Sequence, residues 1–350
     1  MVYGFLSRRI WGGLIGVLFL FFTTHQQPSQ AVIAEPTTGF SNTDFLVSNV
    51  NSPGKIAVYD QNFIFKGYLE NNFPLVLGLD ILPGGDVVAS GNGSSVRRYN
   101  SAGISTIIRN AVIGNAGEIK AFRNNRLYFA RRSTASGVEE LNLAGDSLRS
   151  FGAKKYWSVV VLPNGTLWAN DPENPENAAD VYNLQSGAFI GSFPLDNGQD
   201  VAYSMFYSAQ TNTVLMSNGI AVYERTLSGA FVRKFTPGDG DLGSCFGVTR
   251  GPNRVVYATS STDTTIHAWT AQGVYLGASS VTPTSTRPAN IIWMGNASTR
   301  NSSVNAVGTL RNEGSAVQAS LWAANNRNGL GGGLFYADKR NKITVKSVRV

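Results

Sequence analysis

The chain has 350 residues, of which 15% are charged and 11% aromatic, with 38 glycines and a formal net charge of +7. That balance is too apolar for a disordered chain, and its Gly, Asn, Ser and Thr favour short strands and tight turns over helices. The positive balance permits attraction to acidic glycans, lipid headgroups or nucleic acid. Lys and Arg are nevertheless scattered in short pairs such as Arg131-Arg132 and Lys154-Lys155, with no basic stripe interleaved with aromatics, which argues against nucleic acid as a partner.

In chain order, Arg8 and Arg9 precede an uncharged apolar run from Ile10 to Phe22, and Ser29 and Ala31 form a small-x-small site ahead of Val32. A positive start, a short apolar stretch and small residues predict a secretory signal peptide over residues 1–31, with export to the periplasm, cell surface or medium and no membrane span after cleavage. A cut after Ala34 and an uncleaved N-terminal anchor are the alternatives. Residues 32–43 form a short N-terminal segment and 44–350 a single domain. Cys245 is the one cysteine, so no internal disulfide forms and the domain must rest on its own core.

From Asp44 onward a unit recurs: a Gly, Asn or Pro turn, an apolar β-rich pair, then a small or polar pair. It reads LPGGDVVASG from Leu82, RNNRLYFARR from Arg123, LPNGTLWAND from Leu162, GPNRVVYATS from Gly251 and GGLFYADKRN from Gly332. Apolar inner strands precede the turns, as in LVLGLDI (Leu75 to Ile81) and YWSVVVL (Tyr156 to Leu162). Second and third runs follow, as in ADVYNLQSGAFIGSF (Ala179 to Phe193), IAVYERTLSGAFVRKF (Ile220 to Phe235) and TIHAWTAQGVYLGA (Thr265 to Ala278). With Tyr59, Tyr99, Leu141, Tyr182, Tyr223 and Trp269 as equivalent positions, the spacings are 40, 42, 41, 41 and 46. A period near 40 with about four short strands per period predicts an all-β fold, a β-propeller of four-stranded blades, because a ring covers both faces of every blade. Counting the C-terminal unit gives seven blades. A six-blade ring closed by ANIIWMG (Ala289 to Gly295) against the strands from Asp44, and an eight-blade ring using VNAVGTL (Val304 to Leu310), are the alternatives. Residues 279–332 fit the repeat poorly and read as an irregular or degenerate region.

The segment GLFYADKRNKITVKSV from Gly333 to Val348 resembles the NHL/YVTN type of propeller repeat, and LWANDPENPENAADVYN and VVYATSSTDTTIHAWT do so more loosely. The resemblance implies a fold and not an activity, since the same ring carries enzymes, ligand binders and scaffolds. In metal-dependent lactonase propellers, which share the blade pattern, Glu, Asp and Asn gather at the central channel around a divalent cation such as Ca²⁺. By that resemblance Asp80, Glu118, Asn170 and Asp200 are the candidate metal ligands, since hard cations take convergent oxygens. Turn alignment sets Glu118 against Gly78, Ser158, Met205 and Phe246, so the acids form no repeated ring.

Other chemistry is sparse. His25 falls in the signal region, which leaves His267, so a multi-His metal centre is excluded. His267 lies near Asp263, but no G-x-S-x-G elbow accompanies them. Cys245 reads as a buried core thiol. Phosphate-loop and dinucleotide fingerprints are absent from the sequence. The reading is an exported, non-catalytic scaffold that binds a protein or a surface polysaccharide and carries no cofactor. The alternatives are a lactonase-like hydrolase or lyase, and an assembly subunit that donates the strand following the GLGGG hinge at Gly329 to Gly333.

Overall fold

Six four-stranded antiparallel sheets follow one another along the chain and close into a ring. The computed structural model describes residues 37–296 apart from stretches at 52, 74, 92–94, 111–115, 133–136, 171–177, 196–201, 239 and 282–286. Beyond these it describes the strands of one further sheet. The signal region, Asp200 and most of the glycine hinge lie outside the described residues.

Blade 1 contains β1 (Phe45–Asn49), β2 (Gly54–Tyr59) and β3 (Phe65–Phe73), and its innermost strand is β24 (Pro288–Trp293) from the other end of the ring. Blade 2 holds β4 (Val76–Ile81), β5 (Val87–Gly91), β6 (Ser95–Tyr99) and β7 (Ser105–Asn110). Blade 3 holds β8 (Ala116–Phe122), β9 (Arg126–Arg131), β10 (Val138–Leu141) and β11 (Ser147–Phe151). Blade 4 is β12 (Ser158–Val161), β13 (Thr166–Asn170), β14 (Ala178–Asn183) and β15 (Phe189–Pro194). Blade 5 is β16 (Ser204–Ser208), β17 (Thr213–Ser217), β18 (Val222–Thr226) and β19 (Phe231–Phe235). Blade 6 is β20 (Cys245–Arg250), β21 (Val256–Ser260), β22 (Thr265–Trp269) and β23 (Tyr275–Ser280).

The innermost strands pack in a closed cycle, β24 on β4, β4 on β8, and onward through β12, β16 and β20 back to β24. The ring therefore has six blades, and the count of seven is corrected. Ring closure pairs Phe45 with Trp293, Leu46 with Ile292 and Val47 with Ile291. A repeat count cannot register this pairing between distant strands. It counted instead the C-terminal unit, whose strands β25 (Arg311–Glu313), β26 (Ala316–Ser320), β27 (Gly333–Ala337) and β28 (Ile343–Ser347) pair among themselves as a separate sheet. The strand read as donated, β28, pairs with β27 in that sheet.

Burial follows the alternation of side chains along each strand. In blade 1, Leu46, Ile56 and Val58 face Val76, Leu79 and Tyr99 of blade 2. Phe45, Val47 and Tyr59 face the other way, toward Ile266 and Tyr257 of blade 6. Six apolar clusters are described, one for each blade-to-blade contact. Each fully buried large side chain contributes about 1.5–3 kcal/mol, so stability is distributed around the ring. Close approach of neighbouring inner strands requires glycine at Gly117 and Gly247, where a Cβ would lie 2.6 Å from Trp157 O and 2.3 Å from Ala289 O.

One repeat position is also corrected. Pairing sets Tyr99 opposite Val87, Tyr182 opposite Leu167 and Trp269 opposite Val256, and in blade 5 the matching pair is Val214 with Arg225. Arg225 thus replaces Tyr223 in the series. Its guanidinium is buried, donates to Gly229 O at 2.7 Å and lies over the Phe193 ring. Tyr223, two residues earlier, carries the apolar signal that a sequence comparison follows.

Candidate functional site at the ring axis

Glu118 lies in a bulge of β8, where the register against β9 shifts between Ala116 and Ile119. Bulges re-aim side chains, and this one directs the carboxylate toward the inner strands of the other blades. Oε1 accepts hydrogen bonds from Lys120 Nζ at 2.6 Å, Ser204 Oγ at 2.6 Å and Asn290 Nδ2 at 3.4 Å. Oε2 accepts the N–H groups of Val159 and Met205, each at 3.2 Å. One carboxylate therefore joins the innermost strands of blades 1, 3, 4 and 5. Its side chain is 1% exposed and that of Lys120 6%.

The other candidate oxygens have different partners. Asp80 Oδ2 accepts the N–H of Ala121 at 2.7 Å, which ties blade 2 to blade 3. Asn170 Oδ1 accepts the N–H of Ala202 at 2.9 Å while its amide donates to Ala178 O, which ties blade 4 to blade 5. These bonds hold Asp80 and Asn170 to blade pairs of their own, while Glu118 spans four blades. No group of three His, Cys, Asp or Glu side chains arranged for a metal ion occurs among the described residues.

Sequence reading missed the partners of Glu118, namely Lys120, Ser204 and Asn290. It also missed an aromatic arc at the starts of three successive inner strands. Trp157 and Tyr203 immediately precede β12 and β16, and Phe246 is the second residue of β20. Their ring centroids are 5.4 Å apart from Trp157 to Tyr203 and 4.8 Å from Tyr203 to Phe246, with interplanar angles of 61° and 57°. The Arg132 guanidinium stands 3.2 Å from the Trp157 ring centroid. All three rings are half-buried, and the buried Trp157 Nε1 has no hydrogen-bond partner among the described residues. The signal available in the sequence was an aromatic at the head of each run, in YWS, AYS and CFG.

The remaining reactive side chains have structural settings. Cys245 is fully buried, and burial pushes its thiol up to about 12. Alkylation by iodoacetamide at neutral pH should therefore wait for unfolding; rapid labelling of the native protein would contradict this setting. His267 Nδ1 lies 2.9 Å from Tyr275 Oη and Nε2 3.0 Å from Thr265 Oγ1. Burial holds its pKa below the ordinary histidine value, against the opposing pull of Asp263. The unfolded chain takes up the proton first, so the stability from neutral His267 is full above the ordinary value near 6.5. It declines as pH falls through that value toward the lowered one. Urea unfolding between about pH 7.5 and about pH 5 should show a shallower pH slope in His267→Gln than in the native chain; equal slopes would remove His267 as the cause.

No family model matches the chain, and no curated protein matches it in sequence. Solved structures do match in fold. A chain in a nidogen/laminin complex aligns with a TM-score of 0.59 at 14% identity, covering 71% of this chain and 97% of its own length. A protein of unknown function from Bacteroides caccae aligns at 0.57 and 12%, covering 71% and 98%. A virginiamycin B lyase from Staphylococcus aureus, solved with quinupristin, aligns at 0.50 and 14%, covering 79% and 85%. The shared feature is the β-propeller fold. At these identities the likeness concerns the fold alone.

Proposed function

We propose that the chain is an exported, non-catalytic propeller that binds a protein or a surface polysaccharide through the mouth bearing Trp157, Tyr203 and Phe246. The observation that carries this reading is the engagement of Glu118. Both its oxygens already accept hydrogen bonds from four blades, which is the arrangement of a structural pin. Metal-assisted hydrolysis or elimination at the axis would require the same oxygens to turn toward a cation. The arc offers a different chemistry, because half-buried aromatic rings beside an arginine supply contact area at low conformational cost. The tilt between successive rings curves that surface. Rings of this kind stack on sugar faces and receive peptide side chains equally well, so two ligand classes are tested together.

The test is a glycan array and a native pull-down with the whole protein, compared with Trp157→Ala and Tyr203→Ala. A retained partner whose capture falls at least tenfold in both variants, a change of about 1.4 kcal/mol each, supports the reading. Capture unaffected by either substitution, or no partner from either method, overturns it. No helix among the described residues is long and apolar enough to cross a membrane.

A further inference from the structure

The large apolar side chains exposed among the described residues stand at one rim of the ring. Ile64, Ile104 and Val274 occupy the turns that enter the outermost strands of blades 1, 2 and 6, and are 63%, 64% and 62% exposed. Leu148, Phe189 and Phe231 lie at the starts of β11, β15 and β19 in blades 3, 4 and 5 and are exposed as well. The other exposed large apolar residues fall within the first three positions of outermost strands. Each blade is an antiparallel meander laid in the same direction, so these residues share one end of the ring. The Trp157–Tyr203–Phe246 mouth, at the starts of inner strands, belongs to the opposite end.

Charge is scarce along the same rim. The turns into the outermost strands, at 60–64, 100–104, 142–146, 183–188, 226–230 and 270–274, contain no Lys, Arg or Glu, and their only charged residues are Asp60 and Asp146. Asp60 Oδ1 accepts the N–H groups of Asn62 and Ile64, and Asp146 Oδ2 accepts the Asn142 amide at 2.8 Å, so both carboxylates are engaged inside their own turns. Two guanidinium groups turn inward as well. Arg149 donates to the carbonyls of Leu184 and Gln185, and Arg233 donates to Ala271 O at 2.8 Å. These bonds tie the turns of blades 4 and 6 to the blades before them and hold the rim in a fixed shape. Residues 44–296 as a whole carry 19 Lys and Arg against 19 Asp and Glu, a net charge of zero.

Exposed apolar side chains on an ordered surface depleted of charge have the composition of the core of a protein interface. At about half of a ~200 Å² side chain each, the ten such residues expose on the order of 1,000 Å² per ring. That exceeds the ~800 Å² per partner that a standard interface buries. A small globular partner would cover one or two blades, and reaching every blade takes an occupant as wide as the ring. A second copy presenting the same end has that width, brings the same uncharged turns, and meets no net repulsion from a ring of zero charge. We propose that two copies stack rim to rim about a two-fold axis, in a dimer that leaves both aromatic mouths facing outward. Apolar burial drives the association. The proposal does not depend on what the mouth binds.

The experiment is sedimentation equilibrium of the full chain across the micromolar range, with hydrogen exchange at both ends of that range. A reversible equilibrium between monomer and dimer is expected, not weakened by added sodium chloride. Exchange in the turns at 60–64, 100–104 and 270–274 should slow several-fold as the dimer forms. Ile104→Asp and Val274→Asp, each made singly, should raise the dissociation constant at least tenfold, because association would bury an unpaired carboxylate. Both should keep the native urea midpoint at concentrations where the chain is monomeric, and Trp157→Ala should leave the dimer unchanged. A monomer at every concentration, assembly beyond the dimer, or a dimer indifferent to both Asp variants would overturn the proposal. So would concentration-dependent protection confined to residues 311–347, which would place the contact in the C-terminal sheet. Should either variant fail to fold, exchange at the rim of the native chain decides: protection that grows with concentration supports the stack, and its absence overturns it.

Discussion

A chain ending at Asn296 should fold and unfold cooperatively, whereas a chain ending at Arg287 should not fold. The two differ by β24 and the few residues after it, and that strand supplies the innermost position of blade 1. Without it, Phe45, Leu46 and Val47 lose their pairing partners, and the packing of Ile291 toward blade 6 and Ile292 toward blade 2 is lost. An open ring exposes an unpaired edge and two blade faces together. Because domains carry a net stability of only about 5–15 kcal/mol, the loss of several fully buried side chains at about 1.5–3 kcal/mol each exceeds the margin. Ile291→Ala in the full chain is the milder form, with an expected cost of about 2–5 kcal/mol. Far-UV circular dichroism with urea unfolding distinguishes the cases. A chain ending at Asn296 that fails to fold would mean that residues 297–350 belong to the ring.

The second large effect is expected at Glu118. Glu118→Ala removes the partner of buried Lys120 and leaves the N–H groups of Val159 and Met205 without the carboxylate that accepts them. Breaking a buried ion pair from one side costs about 3–5 kcal/mol. Glu118→Gln keeps an acceptor oxygen but not the charge, and should fall between that variant and the native chain. Replacing Glu118 and Lys120 together by Met should cost less than the sum of the two single changes, because neither charge is left alone. Chemical unfolding of the native chain, Glu118→Ala, Glu118→Gln, the double Met variant and its two single Met counterparts gives the comparison. A Glu118→Ala variant as stable as the native chain would remove the pin.

Much of the blade architecture was legible because it is local. The turns before Val87, Leu127, Leu167 and Val256 are marked by Gly, Asn or Pro, and their strands alternate or run apolar as their burial demands. Ring closure was not legible as a single answer, because Phe45 and Trp293 meet only through the path of the whole ring. The alternative using ANIIWMG contained the right strand but competed with a C-terminal repeat that forms its own sheet. At the axis, the sequence singled out Glu118 as a channel acid. It could not show that Ser204 and Asn290, 86 and 172 residues away, would be its partners. Arg225 was hidden for a related reason. A buried guanidinium at an aromatic position is stabilised by the neighbouring Phe193 ring and the Gly229 carbonyl, neither of which a residue-type pattern encodes.

The measurement that bears most directly on the account is a thermal-shift titration of the purified protein and its Glu118→Gln variant with Ca²⁺, alongside metal analysis. If Glu118 is a structural pin, Ca²⁺ leaves both melting temperatures unchanged, no stoichiometric divalent ion copurifies, and Glu118→Gln melts below the native chain. A bound divalent ion whose stabilisation disappears in Glu118→Gln, in a variant that melts above the metal-free native chain, would contradict the account and place catalysis or cation binding at the axis.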